Sequence, residues 1–264
     1  MSHSNIVLDQ ATQQFYVDVL NLLKESNTPF LVGGAYALAQ YAGVVRHTKD
    51  LDLFVKKDDA EEILEQFAKA GYKSEMTFSH WLGKAYKGES FIDLIFSSGN
   101  GVAVVDDQWF DYAKEAEVFG VTVKLCPPEE MIWSKGFIME RERFDGADVA
   151  HILHSCGPTM DWDRLLERFD SHWRVLLTHL ILFGFTYPAE KDKIPADVMN
   201  KLVNKLAEDT ENSSAKQVCH GTLLSREQYL VDTDRWGYGD ARLVPCGNMT
   251  AKEIDHWTIA IDSK

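Results

Sequence analysis

Between residues 8 and 26, apolar residues recur near every 3.6 positions (Phe15, Val19, Leu20, Leu22, Leu23), which predicts an amphipathic helix. Asn27-Thr28-Pro29 breaks it, and Phe30-Leu31-Val32 reads as a short buried strand ending at Gly33-Gly34. Helical spacing returns over 35–43 (Ala35, Leu38, Ala39, Ala42), and Leu51 to Val55 is a strand. Asp58 to Ala70 is a helix whose acidic first turn suits the helix dipole, and Gly71 ends it. Three short strands follow at 72–77, 81–87 and 91–97, then a further strand from Glu117 to Leu125. Pro127-Pro128 opens a helix that runs to about Arg143, with Pro128 near the first turn, where a missing N–H costs nothing. Helices are expected from there at about 145–155, 161–169, 172–185 and 196–208. Residues 209–217 are polar and read as a linker, and 218–264 give no clear period.

The expected fold class is α+β. A small mixed β-sheet flanked by helices occupies residues 1–126, and a mostly helical domain occupies 127–264. Of the 264 residues, 45% are apolar and 26% charged, the composition of a well-cored globular protein. The net charge of −14 is spread evenly: 11 basic and 18 acidic residues in 1–126, 16 and 23 in the rest. Neither half offers the cation excess that phosphate-backbone binding needs, so no duplex nucleic acid is expected as a partner. The longest apolar stretch, Val175 to Phe185, is interrupted by His179 and too short for a bilayer. It reads as a buried helix, and no membrane partner is expected. The opening MSHSNIVLDQ lacks a basic segment followed by an apolar one, so no secretory signal is expected. Four scattered cysteines without a CxxC pair argue for reduced thiols and a cytoplasmic location.

Three features of the front half carry chemistry. Gly33-Gly34 lies between a strand and a helix, where a backbone can approach a phosphate and the helix offers free N–H groups. A double glycine there is also an ordinary tight turn. In Asp50-Leu51-Asp52-Leu53-Phe54-Val55, strand alternation points Asp50 and Asp52 to one face and the leucines to the other. Two neighbouring carboxylates repel unless something positive offsets them, and Mg²⁺ takes such oxygen ligands. The ordinary alternative is a strand end with two solvated acids. In Phe91-Ile92-Asp93-Leu94-Ile95-Phe96 a single carboxylate sits among five large apolar residues, on a strand expected to be buried on both faces. An unpaired carboxylate there would cost several kcal/mol. Asp93 is therefore either paired to a cation, capping a turn, or meeting Asp50 and Asp52 around metal.

Gly33-Gly34, then Arg46-His47-Thr48-Lys49-Asp50-Leu51-Asp52, then Asp93 on a later strand, together resemble the polymerase-β-type nucleotidyltransferase superfamily. Within it the sequence looks like the small bacterial members: those that adenylylate antibiotics, and the toxin-like ones of abortive-infection systems. Pro128-Glu129-Glu130-Met131-Ile132-Trp133-Ser134-Lys135, followed by Arg141, Arg143, Asp145 and Asp148, is similar to the helical segment after the catalytic sheet in those proteins. The resemblance covers about residues 30–155. It implies that Gly33 and Gly34 hold the nucleotide's phosphates by backbone, and that Asp50 and Asp52 bind Mg²⁺ bridging the triphosphate. Asp93 then binds a second ion or serves as base for the acceptor hydroxyl. Lys135 would neutralise the triphosphate or leaving pyrophosphate, and Arg46 and Thr48 would line the same mouth. One departure is the interval of fifteen residues between Gly34 and Asp50, longer than in many members.

The expectation is an enzyme: a Mg-dependent nucleotidyltransferase moving a nucleoside monophosphate from an NTP to a hydroxyl of a small-molecule acceptor. The alternatives are a toxin-like transferase acting on tRNA or protein, and a degenerate nucleotide-binding protein. Other groups weigh less. His151, His154 and Cys156 share a helix without a second cluster and read as packing. Adjacent Cys219 and His220 rarely face one site. Trp133, Trp162, Trp173 and Trp236 read as core or groove aromatics. Lys135, Arg141 and Arg143 are spaced for a basic stripe on one helix, with Asp145 and Asp148 available to pair the arginines.

Overall fold

The computed structural model describes residues 8–46, 48, 50–209 and 217–260. Two compact units divide the chain, Met1–Pro127 and Pro128–Lys264.

In the first unit the elements are α1 (Gln10–Glu25), β1 (Leu31–Val32), α2 (Gly34–Ala42), β2 (Asp50–Phe54), α3 (Lys57–Lys69), β3 (Lys73–Phe78), β4 (Leu82–Lys87), β5 (Ser90–Ile95), α4 (Asp107–Asp111), β6 (Lys114–Val118) and β7 (Val121–Leu125). The seven strands form one sheet in the order β3-β4-β5-β2-β1-β7-β6. β2–β5 and β1–β7 are parallel and the other pairs antiparallel. The Asp9 carboxylate caps α1 by accepting from Thr12 N at 2.9 Å. Along α1, Phe15, Tyr16, Val19, Leu20 and Leu23 form the buried stripe. On α3 the stripe is Ala60, Ile63, Leu64 and Phe67. A Cβ on Gly83 of β4 would stand 3.0 Å from Leu64, so α3 lies tightly on that face of the sheet. Leu51 and Leu53 of β2, with Ile92 and Leu94 of β5, are almost wholly buried on the same side. Each such side chain contributes about 1.5–3 kcal/mol of apolar burial. Their alternation turns Asp50, Asp52 and Asp93 to the opposite face.

That face is not the second buried surface expected for the Asp93 strand. Phe91, Asp93 and Ile95 are each only partly covered. A second difference lies at Glu117 to Leu125, where one strand was expected. The chain makes a β6–β7 hairpin instead, with Phe119 (φ 53°) and Gly120 (φ 79°) both left-handed. Two positive φ values in a two-residue turn suit the twist of the strands. Phenylalanine is not a turn signal; it is held there because its ring packs on Tyr16 and Tyr36 (5.9 and 5.0 Å between centroids).

The second unit holds α5 (Pro128–Gly136), α6 (Gly146–Cys156), α7 (Trp162–Phe169), α8 (Trp173–Thr186), α9 (Ala196–Asp209), β8 (Val218–Cys219), α10 (Leu230–Asp234), β9 (Gly239–Asp240) and α11 (Ala251–Ile259). β8 and β9 form a short parallel pair. α11 opens on a capping box of Thr250 and Glu253. The helix expected to reach Arg143 ends at Gly136, where a Cβ would press on Phe169 at 3.1 Å. Met139 then bridges Phe144, so residues 140–143 form a turn, and Arg141 and Arg143 do not stand on one helix with Lys135. α8 is not buried throughout. Leu176, Leu177, Leu180 and Phe183 are inside, whereas Ile181, Leu182 and Phe185 face outward. Trp133 and Trp173 are buried as expected, but Trp236 is 64% exposed. Of the expected linker 209–217, residues 210–216 lie outside the described residues. The four cysteines are free thiols. Among the described residues, no helix is long and apolar enough to cross a membrane.

Candidate active site

β2 and β5 run parallel with Asp52 directly opposite Asp93 and Asp50 opposite Phe91. The pleat keeps Asp50 and Asp52 on one face, and the register adds Asp93 to it. Carboxylate oxygens of the three residues all lie within 4.8 Å of one another. The three side chains are partly exposed, so an ion can reach them. Oxygens held 2.0–2.1 Å from Mg²⁺ lie about 3–4 Å apart around one ion, so this all-oxygen donor set fits the cation.

Each acid has a local support. The Thr48 hydroxyl donates to the Asp50 carboxylate. The Lys84 ammonium donates to Asp93 and lies 4.3 Å from the centre of the Phe91 ring. Thr48 was expected at this mouth; Lys84 was not. Its signal in the sequence is the Gly88-Glu89 turn. Counting outward from that turn pairs Lys87 with Ser90 and Lys84 with Asp93, the register found.

The double glycine is demanded by β2 itself. Gly33 N–H donates to the Asp52 carbonyl at 3.0 Å. A Cβ on Gly33 would fall 2.2 Å from the Phe54 ring, and one on Gly34 1.6 Å from Asp52 Oδ2. Gly34 also has φ +53°. The two glycines let the first turn of α2 press against the acidic strand. No side chain caps that helix start, whose N–H groups face no earlier turn. The Gly33-Gly34 turn thus leads directly into the start of α2.

Tyr16 and Tyr36 lie beneath this corner, 6.3 Å apart at the ring centres. Burial raises both phenol pKa values, and the charges of Asp50 and Asp52 push them further, so both stay protonated. Arg46 is exposed on the α2–β2 connection; His47 and Lys49 of the same motif lie outside the described residues.

Lys135 has a different setting from the one expected. Its ammonium is 2.8 Å from Asp145 Oδ2 and 2.9 Å from Asp148 Oδ2, and the residue is 9% exposed. Arg143 also binds Asp145, from Nε at 2.9 Å. Burial alone would raise the Asp145 pKa; the hydrogen bonds and charges of Arg143 and Lys135 outweigh it and hold it at about 2. The Lys135 charge is therefore taken up inside its own unit. Near it, sequence reasoning missed a second buried network: Arg164 meets Glu129 and Glu130, and Arg168 meets Glu130 at 3.1 Å. Burial raises the Glu130 pKa despite both arginines. His154 pairs with Glu190 at 3.0 Å, in keeping with a packing role for that helix.

A mixed sheet with three carboxylates gathered across adjacent parallel strands, beside a glycine turn into a helix, is the architecture of a nucleotidyltransferase. The family model described as an uncharacterised nucleotidyltransferase matches residues 2–182, and the chain belongs to that family. It is an enzyme of that class. No curated protein matches the chain. Among solved structures, the antibiotic-resistance factor ANT(2'')-Ia in solution is 18% identical, with a TM-score of 0.45 over 65% of this chain and 98% of that one. An antigenic nucleotidyltransferase-like protein from Paracoccidioides brasiliensis is 17% identical, with a TM-score of 0.45 over 70% and 92%. The lincosamide antibiotic adenylyltransferase LnuA, solved with lincomycin bound, is 14% identical, with a TM-score of 0.38 over 53% and 94%.

Proposed function

We propose that this protein transfers a nucleoside monophosphate from an NTP to a hydroxyl of a small-molecule acceptor and releases pyrophosphate, with Mg²⁺ as cofactor. The observation that carries the reading is the convergence of Asp50, Asp52 and Asp93 on one face of the sheet. Asp50 and Asp52 would hold one ion at the triphosphate. Asp93 would hold a second ion or accept the proton of the attacking hydroxyl. Bound Mg²⁺ supplies the charge that stabilises the attacking and leaving oxygens of an in-line displacement. The chain's own contribution is placement. Gly33 and Gly34 bring the N–H groups of α2 to the phosphates. Thr48 braces Asp50, and Arg46 lines the approach. Lys135 is left out, because Asp145 and Asp148 already neutralise it.

The acceptor follows from charge. An acidic protein with no basic half has little to hold a polyanion; a small hydroxylated molecule needs no such cations, and a cationic one is attracted. Four free thiols suit a reducing cytoplasm.

The test is mass spectrometry of candidate hydroxylated acceptors, amino sugars first, after incubation with each NTP and Mg²⁺. The parent should add one nucleoside monophosphate to an acceptor, and Asp52→Asn should abolish the addition. The Asn variant should melt at the same temperature or higher, because like-charge repulsion is relieved. Transfer that survives Asp52→Asn would refute the assignment.

A further inference from the structure

Three strands contribute to one row of charge. Asp52 on β2 faces Asp93 on β5, and Asp93 faces Lys84 on β4. Both members of the Lys84–Asp93 pair are largely covered, 19% and 14% exposed at the side chain. The lysine's ammonium sits over the ring of Phe91, the residue paired with Asp50. Lys84 thus sets a positive charge at the rim of the three-carboxylate patch. A covered ammonium is costly unless carboxylates compensate it, and this one is compensated by a group that the metal would also use.

We infer that Lys84 is a resident cation of the acidic patch. Without metal it orients Asp93 toward Asp50 and Asp52, and it competes with a divalent ion for that carboxylate. The patch therefore binds its metal more weakly, and releases it more readily, than three carboxylates would alone. Lys84 is a positioning residue in this account, and the inference rests on the metal reading of the site.

The experiment is a Mn²⁺ titration of the full chain without nucleotide, read by electron paramagnetic resonance of free Mn²⁺ and by melting temperature. It compares the parent with Lys84→Met, Lys84→Arg and Asp52→Asn. Removing one positive charge about 5 Å from a divalent ion, in water-like dielectric, should tighten Mn²⁺ binding by about tenfold in Lys84→Met. That variant should melt lower than the parent without metal and gain more from Mn²⁺. Lys84→Arg should stay close to the parent. Mn²⁺ affinity unchanged or weaker in Lys84→Met would overturn the inference, because an ion pair that only supports the sheet leaves metal affinity alone. If the parent binds Mn²⁺ and Asp52→Asn does not, the metal reading stands and Lys84→Met alone decides. If no variant binds Mn²⁺, the metal reading falls and this inference with it. Should Lys84→Met fail to fold, Lys84→Gln removes the same charge while keeping a hydrogen-bond donor.

Discussion

At the scale of single residues, Gly34 separates backbone strain from crowding. Its φ of +53° disfavours a side chain, and Asp52 Oδ2 fills the place a Cβ would take. Gly43 has a similar φ, +65°, with nothing within 4 Å. Gly43→Ala should cost about 1 kcal/mol in denaturant unfolding and leave transfer intact. Gly34→Ala must also move Asp52 or the start of α2, so transfer should fall by about 10²-fold or more, as expected when a reacting geometry slips by an ångström. Equal activity in the two variants would remove the contact between Gly34 and Asp52 from the chemistry. Asp50 and Asp52 were legible in the sequence because period-two alternation needs no partner strand. Asp93 was legible as a carboxylate out of place among apolar residues. Lys84 was not, because its meaning depends on register, which only the β4–β5 turn supplies.

Single elements show how local signals fail. The helix from Pro128 ends at Gly136, a glycine at which Phe169 leaves little room for a side chain. The early end matters for Lys135, since the turn that follows brings Asp145 back to the ammonium. Lys135→Ala would leave Asp148 buried without this cation and Asp145 with Arg143 alone. The cost should be about 3–5 kcal/mol in urea unfolding at pH 7. The sign with pH follows from Asp145. Its pKa is lowered from 3.8 in the unfolded chain to about 2. The stability it supplies, about 2 kcal/mol, is complete above pH 4 and lost as pH falls through 2. Parent and variant should therefore converge as the urea series is carried from pH 5 toward pH 2. A gap that stays constant would mean that Lys135 matters through packing and not charge. The β6–β7 hairpin escaped for a related reason: Phe119 holds a left-handed turn through its contacts with Tyr16 and Tyr36, which no local propensity encodes.

For the molecule as a whole, the even charge of the two halves bears on the acceptor. Transfer to a small neutral or cationic acceptor should change little between 50 and 200 mM salt. Binding of tRNA through six phosphates would fall on the order of 10³-fold over that range. Tight, salt-steep tRNA binding, with label passed from NTP to tRNA, would replace the small-molecule acceptor and keep the transferase chemistry. The order of strands has a further consequence, for assembly. β3, β4 and β5 follow one another through short turns, so the Lys84–Asp93 contact closes within a few residues of chain. β2 must join β5 across the whole of α3, β3 and β4, and β1 must wait for β7. Local closures cost less chain entropy and come first. The β4–β5 hairpin can then close the Lys84–Asp93 pair before the longer β2–β5 closure brings Asp50 and Asp52 up to it, so that closure adds two acids to a carboxylate already neutralised.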